Sequence, residues 1–259
     1  MASPSIPRDV GYATVAVTAS ARVRLGLVAD THIPEARVQL WPQVFDAFAG
    51  CDAILHAGDI HELWLLDQLE QVAPVFAARG NGDEGFGGRP RARADARVHD
   101  TWIVQLHGAG SPAAALPDLR VGIIHDLTIP EVPPHLTVDN ASRRRFGAEP
   151  GTPEALDVVV YGDTHVQRID VIGPTLCVNP GSPTYPHNLE TQLGTIGFLD
   201  LDGSAARVSI CQLTESGYET VEVTALPAGP PAVDDGRRRL PCNAPSEQRS
   251  APWNSRTSS

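Results

Sequence analysis

Asp30 and His32, Asp59, Asn81, His125, and Asp163 with His165 stand in five short segments, each placed where an apolar run stops. Carboxylate and amide oxygens and imidazole nitrogens are the donors that hold divalent cations. A carboxylate has two oxygens and can bridge two of them. The ends of strands are where parallel α/β sheets place their ligands, so this recurrence reads as a two-metal site. Cations about 3.5–4 Å apart stabilise charge on both the attacking and leaving oxygens of a displacement and lower the pKa of bound water. Such chemistry needs no protein nucleophile, and none stands out: Gly181-Ser182-Pro183 lacks the G-x-S-x-G elbow.

Each segment alone has a plainer explanation. Asp30-Thr31-His32 is a pair of donors two apart, which share a side if the chain is extended there, but it is also an ordinary polar loop. Asp59 follows Gly58, which lets the backbone turn sharply, and Gly-Asp is a common turn pair. Asn81 between Gly80 and Gly82 fits a tight turn as well as a neutral oxygen ligand. His125, closing Val121-Gly122-Ile123-Ile124, fits a buried, hydrogen-bonded histidine equally well. Asp163 and His165 repeat the alternation of Asp30 and His32. Their conjunction carries the reading.

The elements that must position these donors are short apolar strands. Val23–Val28, Ala53–His56, Val75–Ala78, Arg120–Ile124 and Val158–Tyr161 each run into one segment. Further strands are expected at Trp102–Leu106, Arg168–Val171 and Leu176–Val178, with a hairpin of Thr195–Leu201 and Ala206–Leu213 about Asp202-Gly203. Helices are expected over Val38–Ala49, with Pro42 in the first turn, over Glu62–Val72, and over Thr137–Phe146, where Arg143-Arg144-Arg145 suits the C-terminal dipole. Residues 84–97 read as a surface loop. Residues 1–21 read as a flexible arm, 22–226 as the domain, and 227–259 as a disordered tail.

Composition excludes several classes. The 259 residues, 42% hydrophobic, suffice for one sizeable core. No apolar run approaches membrane-spanning length and residues 1–21 lack the pattern of a signal peptide, so a cytoplasmic protein is expected, without a membrane partner. The net charge of −11 argues against non-specific nucleic-acid binding but leaves a small phosphorylated ligand open. All 20 permanently cationic side chains are arginines, which excludes a P-loop or Schiff-base lysine. Cys51, Cys177, Cys211 and Cys242 form no C-x-x-C pair and read as reduced, mostly buried thiols.

Asp30-x-His32, Gly58-Asp59, Gly80-Asn81, His125 and Gly162-x-x-His165 resemble the calcineurin-like metallophosphoesterase superfamily. Asn179-Pro180-Gly181-Ser182 narrows the resemblance, over about residues 23–213, to its small YfcE-type phosphodiesterase branch. The resemblance implies an α/β fold: a sandwich of two β-sheets flanked by helices, in four layers α/β/β/α. It implies a hydrolase of phosphodiesters, some of them nucleotide-like, that uses a hydroxide bridging two divalent metals. Manganese is the usual ion, with Mg, Fe, Zn or Ni as alternatives. Asp30, His32, Asp59 and His165 would hold one metal. Asp59, Asn81, His125 and Asp163 would hold the other, with Asp59 bridging. A scaffold member of this family with an altered metal site supplies the rival reading, a non-catalytic binding module.

Three departures shape the expectation. Asp163 stands where the family usually has histidine, so two divalent ions against three carboxylates and one hydroxide leave about zero net charge rather than about plus one. This disfavours dianionic monoesters and favours harder metals. Gly82 stands where many members of the superfamily carry a histidine that protonates the leaving group; His187 and His61 are the candidates to contact phosphate or donate a proton instead. Residues 108–118 form an insert before the His125 strand that would shape the pocket rim or lengthen a hairpin.

Overall fold

The computed structural model of the chain describes residues 9–17, 22–84, 95–108, 119–127, 156–172, 175–202 and 205–226, all within one compact unit spanning residues 1–228. In chain order these form β1 (Val10–Val17), β2 (Arg22–Val28), α1 (Pro42–Phe48), β3 (Ala53–His56), α2 (Trp64–Glu70), β4 (Val75–Ala78) and β5 (Val98–His99). There follow β6 (Thr101–Gly108), β7 (Leu119–Ile124), β8 (Val158–Val160), β9 (Arg168–Ile172), β10 (Thr175–Asn179), β11 (Thr195–Asp202), β12 (Ala205–Thr214) and β13 (Gly217–Ala225).

The strands pair into two mixed sheets. One runs β1-β6-β7-β8-β10-β9 and the other β13-β12-β11-β2-β3-β4-β5. Leu25, Leu27, Leu55, Val104, Val121 and Val160, among others, fill the space between them. The outer face of the seven-stranded sheet is covered by α1 and α2 through Val44, Phe48, Leu65, Leu66 and Leu69. A third apolar cluster, including Ile103, Ile124, Val159 and Cys177, lies on the six-stranded sheet. Strands covered on both faces need apolar residues at every position, which is why β3 and β8 are buried throughout and read as unbroken runs. The two-sheet α/β sandwich is the expected fold.

Strands β2, β3 and β4 are mutually parallel, and so are β7 and β8 in the other sheet. Their carboxyl ends carry the five donor segments.

Several expectations need correction. Within residues 1–21, read as a flexible arm, Val10–Val17 form an edge strand parallel to β6, with Val10 opposite Thr101. Ala13 and Val15 pack on the core, and Gly11 faces the Trp102 ring where a Cβ would come within 2.6 Å. Gly and Ala are weak apolar signals, so the alternation was hidden. The first helix covers only Pro42–Phe48 of the expected 38–49, because the residue before proline is driven to extended geometry and Trp41 sits at φ −62°, ψ 134°. The second covers Trp64–Glu70 of the expected 62–72. Strand β13 went unrecognised: most of its residues are exposed on both faces, so no apolar side marks it. The helix over 137–146 with Arg143–Arg145, nearly all of the insert at 108–118, most of the loop at 84–97 and the tail at 227–259 lie outside the described residues.

Cys51, Cys177 and Cys211 are free and buried, as expected; Cys242 lies outside the described residues. Among the described residues no helix is long and apolar enough to cross a membrane.

Candidate metal centre

The donor segments leave their strands by sharp turns. The expectation that Asp30 and His32 share a side of an extended segment is wrong. Asp30 (φ 53°), His32 (φ 46°), Asp59 (φ 54°), Asp163 (φ 71°) and His165 (φ 58°) are all left-handed, as are His61, His187 and Asn188. These eight are the only non-glycine residues with positive φ among the described residues. Each such residue costs on the order of 1–3 kcal/mol, and strain of this kind collects at functional sites. The left-handed turns bring paired donors to one side by a different route than pleating. Gly58 (φ 92°) is needed twice over, since a Cβ there would also come within 2.6 Å of His125 Nδ1.

Asp30, His32, Asp59 and His165 offer one ligand atom each, all within 4.8 Å of one another. Nε2 of His32 lies 3.2 Å from Oδ2 of Asp59. Asp30 is fully buried; its Oδ1 accepts the Asp163 N–H at 3.0 Å, and no hydrogen-bond donor among the described residues reaches its Oδ2. Nδ1 of His165 lies 2.7 Å from the Tyr185 carbonyl, to which it donates, leaving the Nε2 lone pair for a ligand.

The other set is arranged around His125. Its Nδ1 donates to the Ala57 carbonyl at 2.8 Å, which turns the Nε2 lone pair inward. That nitrogen stands 2.9 Å from Oδ1 of Asn81, 3.4 Å from Oδ1 of Asp59 and 3.6 Å from Oδ1 of Asp163. Asp59 thus presents Oδ2 to one set and Oδ1 to the other, while its Oδ1 also accepts the Gly82 N–H at 2.7 Å. Lone pairs crowded together, with a buried carboxylate oxygen left over, are what a divalent cation satisfies. The residues fit two such ions.

The electrostatics agree. Burial pushes the Asp30 carboxyl up to about 7, with the Asp59 charge adding to the rise and the His125 imidazole opposing it. Burial works in the same direction on Asp59, but the His32 and His125 imidazoles outweigh it and hold that carboxyl well below the usual range. Burial lowers His125, yet the carboxylates of Asp30 and Asp59 leave it raised overall. Burial lowers His165.

Every expected ligand is therefore brought to one edge, Asp163 at its half-exposed mouth. His187 is exposed; its backbone N–H donates to the His165 carbonyl at 3.0 Å, which places its backbone beside the site. His61 is buried and packs edge-on to His32, with ring centroids 4.4 Å apart.

Several bracing residues escaped the sequence reading. His56 is wholly buried, and burial drives its pKa down to about 3. Its neutral ring accepts the Gly58 N–H at 3.2 Å and meets the Thr31 hydroxyl at 3.1 Å, which in turn donates to the Asp59 carbonyl at 3.3 Å. Asp83 accepts the N–H groups of Ile60, His61 and Gly80. Ser182 Oγ donates to the Asp30 carbonyl at 2.7 Å, and Thr184 Oγ1 to the Thr31 carbonyl at 2.8 Å. Asn179 Nδ2 donates to the Gly162 carbonyl at 2.8 Å. The Asn179-Pro180-Gly181-Ser182 segment is thus a brace across two donor loops. Polar residues set in apolar runs, such as His56 after Ala53-Ile54-Leu55, were the available signal.

The chain is similar to known proteins. The chain is 33% identical over 163 residues to a probable metallophosphoesterase of Methanothermobacter thermautotrophicus, covering 62% of this chain and 78% of that one. It is 22% identical over 182 residues to a phosphodiesterase of Methanocaldococcus jannaschii, covering 70% and 94%. In fold it is similar to vacuolar protein sorting 29 from Cryptosporidium parvum, with a TM-score of 0.58, 18% identity, and 79% and 97% of the two chains covered. Residues 23–204 match the family model of the calcineurin-like phosphoesterase superfamily domain, and with the Asp/His cluster at the strand ends this shows that the chain belongs to that superfamily.

Proposed function

We propose that the chain hydrolyses small phosphodiesters, nucleotide-like ones among them, with two divalent cations and manganese as the preferred ion. One observation carries the reading: the two oxygens of Asp59 face two separate groups of lone-pair donors. Asp30, His32, Asp59 and His165 would hold one ion, and Asp59, Asn81, His125 and Asp163 the other. When bound, such ions supply Lewis acidity and a nucleophilic oxygen from water at neutral pH. Relatives named as a probable metallophosphoesterase and a phosphodiesterase support the class of reaction.

The chain's own residues set the substrate. Asp163 adds a negative charge at the mouth and so disfavours a dianionic monoester against a monoanionic diester. His187, carried on the turn tied to the His165 carbonyl, contacts the substrate phosphate from the rim. Gly82 brings no side chain to the leaving-group side, which favours substrates whose leaving alcohol is acidic.

The test compares bis(p-nitrophenyl) phosphate with p-nitrophenyl phosphate after metal removal and manganese addition. Metal-dependent turnover with the diester ahead is expected; a monoester rate above the diester rate overturns the substrate assignment. A non-catalytic scaffold is the competing reading, favoured by the Asp163 carboxylate at a position the family usually gives to imidazole. It requires that manganese bind without turnover of either compound.

A further inference from the structure

Beside the first donor group lies a second cluster, of which the reading above uses only His32. His32, Glu35 and His61 each offer one ligand atom, and these atoms lie within 4.8 Å of one another. We propose that they form a further cation position, suited to zinc, whose occupation draws His32 away from the group of Asp30, Asp59 and His165. The proposal rests on that reading only through the shared imidazole of His32.

The geometry is close to a binding arrangement. Nδ1 of His61 lies 3.7 Å from Oε2 of Glu35. Two ligands at tetrahedral zinc, each about 2.0–2.1 Å from the ion, stand about 3.3 Å apart, so a small rotation closes the site. The Glu35 carboxylate is the half-exposed member of the cluster, at 46%. His61 is held firmly instead. The Asp83 carboxylate takes its N–H at 2.7 Å and that of Ile60 at 3.0 Å, and its backbone pairs with Ile33. Its ring fills the space over Gly82, where a Cβ would collide with Nε2. Nε2 is thereby turned toward Gly82, while Nδ1 is the nitrogen beside Glu35. The His32 ring is flanked by His61 at 4.4 Å and by His165 at 4.6 Å between centroids, and so stands between the two groups.

The donor chemistry separates the two positions. Two imidazoles and one carboxylate are a zinc set that leaves a fourth place open. The sets around Asp59 are richer in oxygen, and oxygen donors accommodate manganese and magnesium better. With manganese already on the Asp59 sets, the Glu35 position is the one open to added zinc, which its two imidazoles suit better than manganese. A phosphoesterase so built loses turnover when zinc rises, without exchange of the manganese-binding carboxylates.

The test uses the full chain, stripped of metal and dialysed against buffered zinc or manganese, with bound metal counted by atomic emission. Wild type, Glu35→Gln, Asp59→Asn and the double variant are compared. Glu35→Gln is expected to lose about one zinc per chain in both backgrounds while keeping its manganese, since metal binding follows the ligands present. In assays with manganese, half-inhibition by zinc should move to at least about tenfold higher zinc in Glu35→Gln, a ligand-deletion effect of ordinary size. Equal zinc content with and without the Glu35 carboxylate overturns the proposal. Unchanged manganese in Asp59→Asn overturns instead the assignment of the Asp59 sets, so the two failures are distinct.

Discussion

Nε2 of His125 lies 2.9 Å from Oδ1 of Asn81, and with Nδ1 donating to the Ala57 carbonyl both atoms face each other as lone pairs unless a positive charge lies between them. A proton serves in the metal-free protein, where the Asp30 and Asp59 carboxylates leave His125 raised. Cation binding must displace that proton, and the one on Asp30, whose carboxyl is pushed up to about 7. Calorimetric titration with manganese in buffers of different ionisation enthalpy should show release of about one to two protons near pH 6.5, with affinity rising as pH climbs through about 7.

These groups, with His56 and His165, set the pH dependence of the metal-free fold: burial lowers both histidines, so their contribution is present above the ordinary histidine range and is lost as pH falls through it. Asp30 and His125 are raised, so their contribution is present at low pH and is lost as pH rises, through about 7 for Asp30. Asp59 is depressed, so its contribution is present above the ordinary carboxylate range and is lost as pH falls below it. Metal-free Tm should therefore peak in mildly acidic solution and decline towards pH 8, while the manganese form shows no such decline. Scanning calorimetry across pH 4–8 checks this.

Asp59→Asn isolates charge from shape. Asparagine tolerates the left-handed backbone at φ 54° and keeps an oxygen for the Gly82 N–H. Folding should survive with a small change in Tm. Turnover of the diester should fall by at least about 100-fold, more than loss of a residue that merely orients a ligand.

Ser182→Ala removes the donor to the Asp30 carbonyl, in buried surroundings, and the acceptor of the partly buried Tyr185 N–H. Leaving such groups unsatisfied costs about 1–3 kcal/mol of stability. Because the bond orients the Asp30 turn, manganese affinity should also fall by about 10–100-fold. Denaturant titration and equilibrium dialysis measure the two effects separately.

Asp163→His restores an imidazole at the site's mouth, where φ 71° is a conformation histidine adopts. The gain of about one positive charge should shift the ratio of kcat/KM for monoester over diester upward by about tenfold or more. An unchanged ratio removes Asp163 as the determinant of substrate charge.

The sandwich was legible because its central strands are covered on both faces, so that Val158–Val160 and Ala53–His56 are unbroken apolar runs. The donors were legible because each follows such a run. Strands β1 and β13 were hidden, since Gly11 and Ala13 carry little apolar weight and β13 buries almost nothing. The left-handed turns at Asp30 and His32 were also hidden: even for Asp and His this conformation is uncommon, and the turn is imposed by tertiary bonds such as Asp30 N–H to the Gly58 carbonyl. The braces from His56, Asp83 and Ser182 depend on contacts that join distant parts of the chain, up to the 152 residues between Ser182 and Asp30.

If Asp59 joins two cation sets, as proposed, the number of manganese ions bound per chain will show it. The metal-free chain, dialysed against micromolar manganese at pH 7.5, should retain about two ions, and Asp59→Asn about one or none. Wild type that retains no manganese, or an Asp59→Asn variant that retains as much as wild type, shows that Asp59 is not a bridge between two ions.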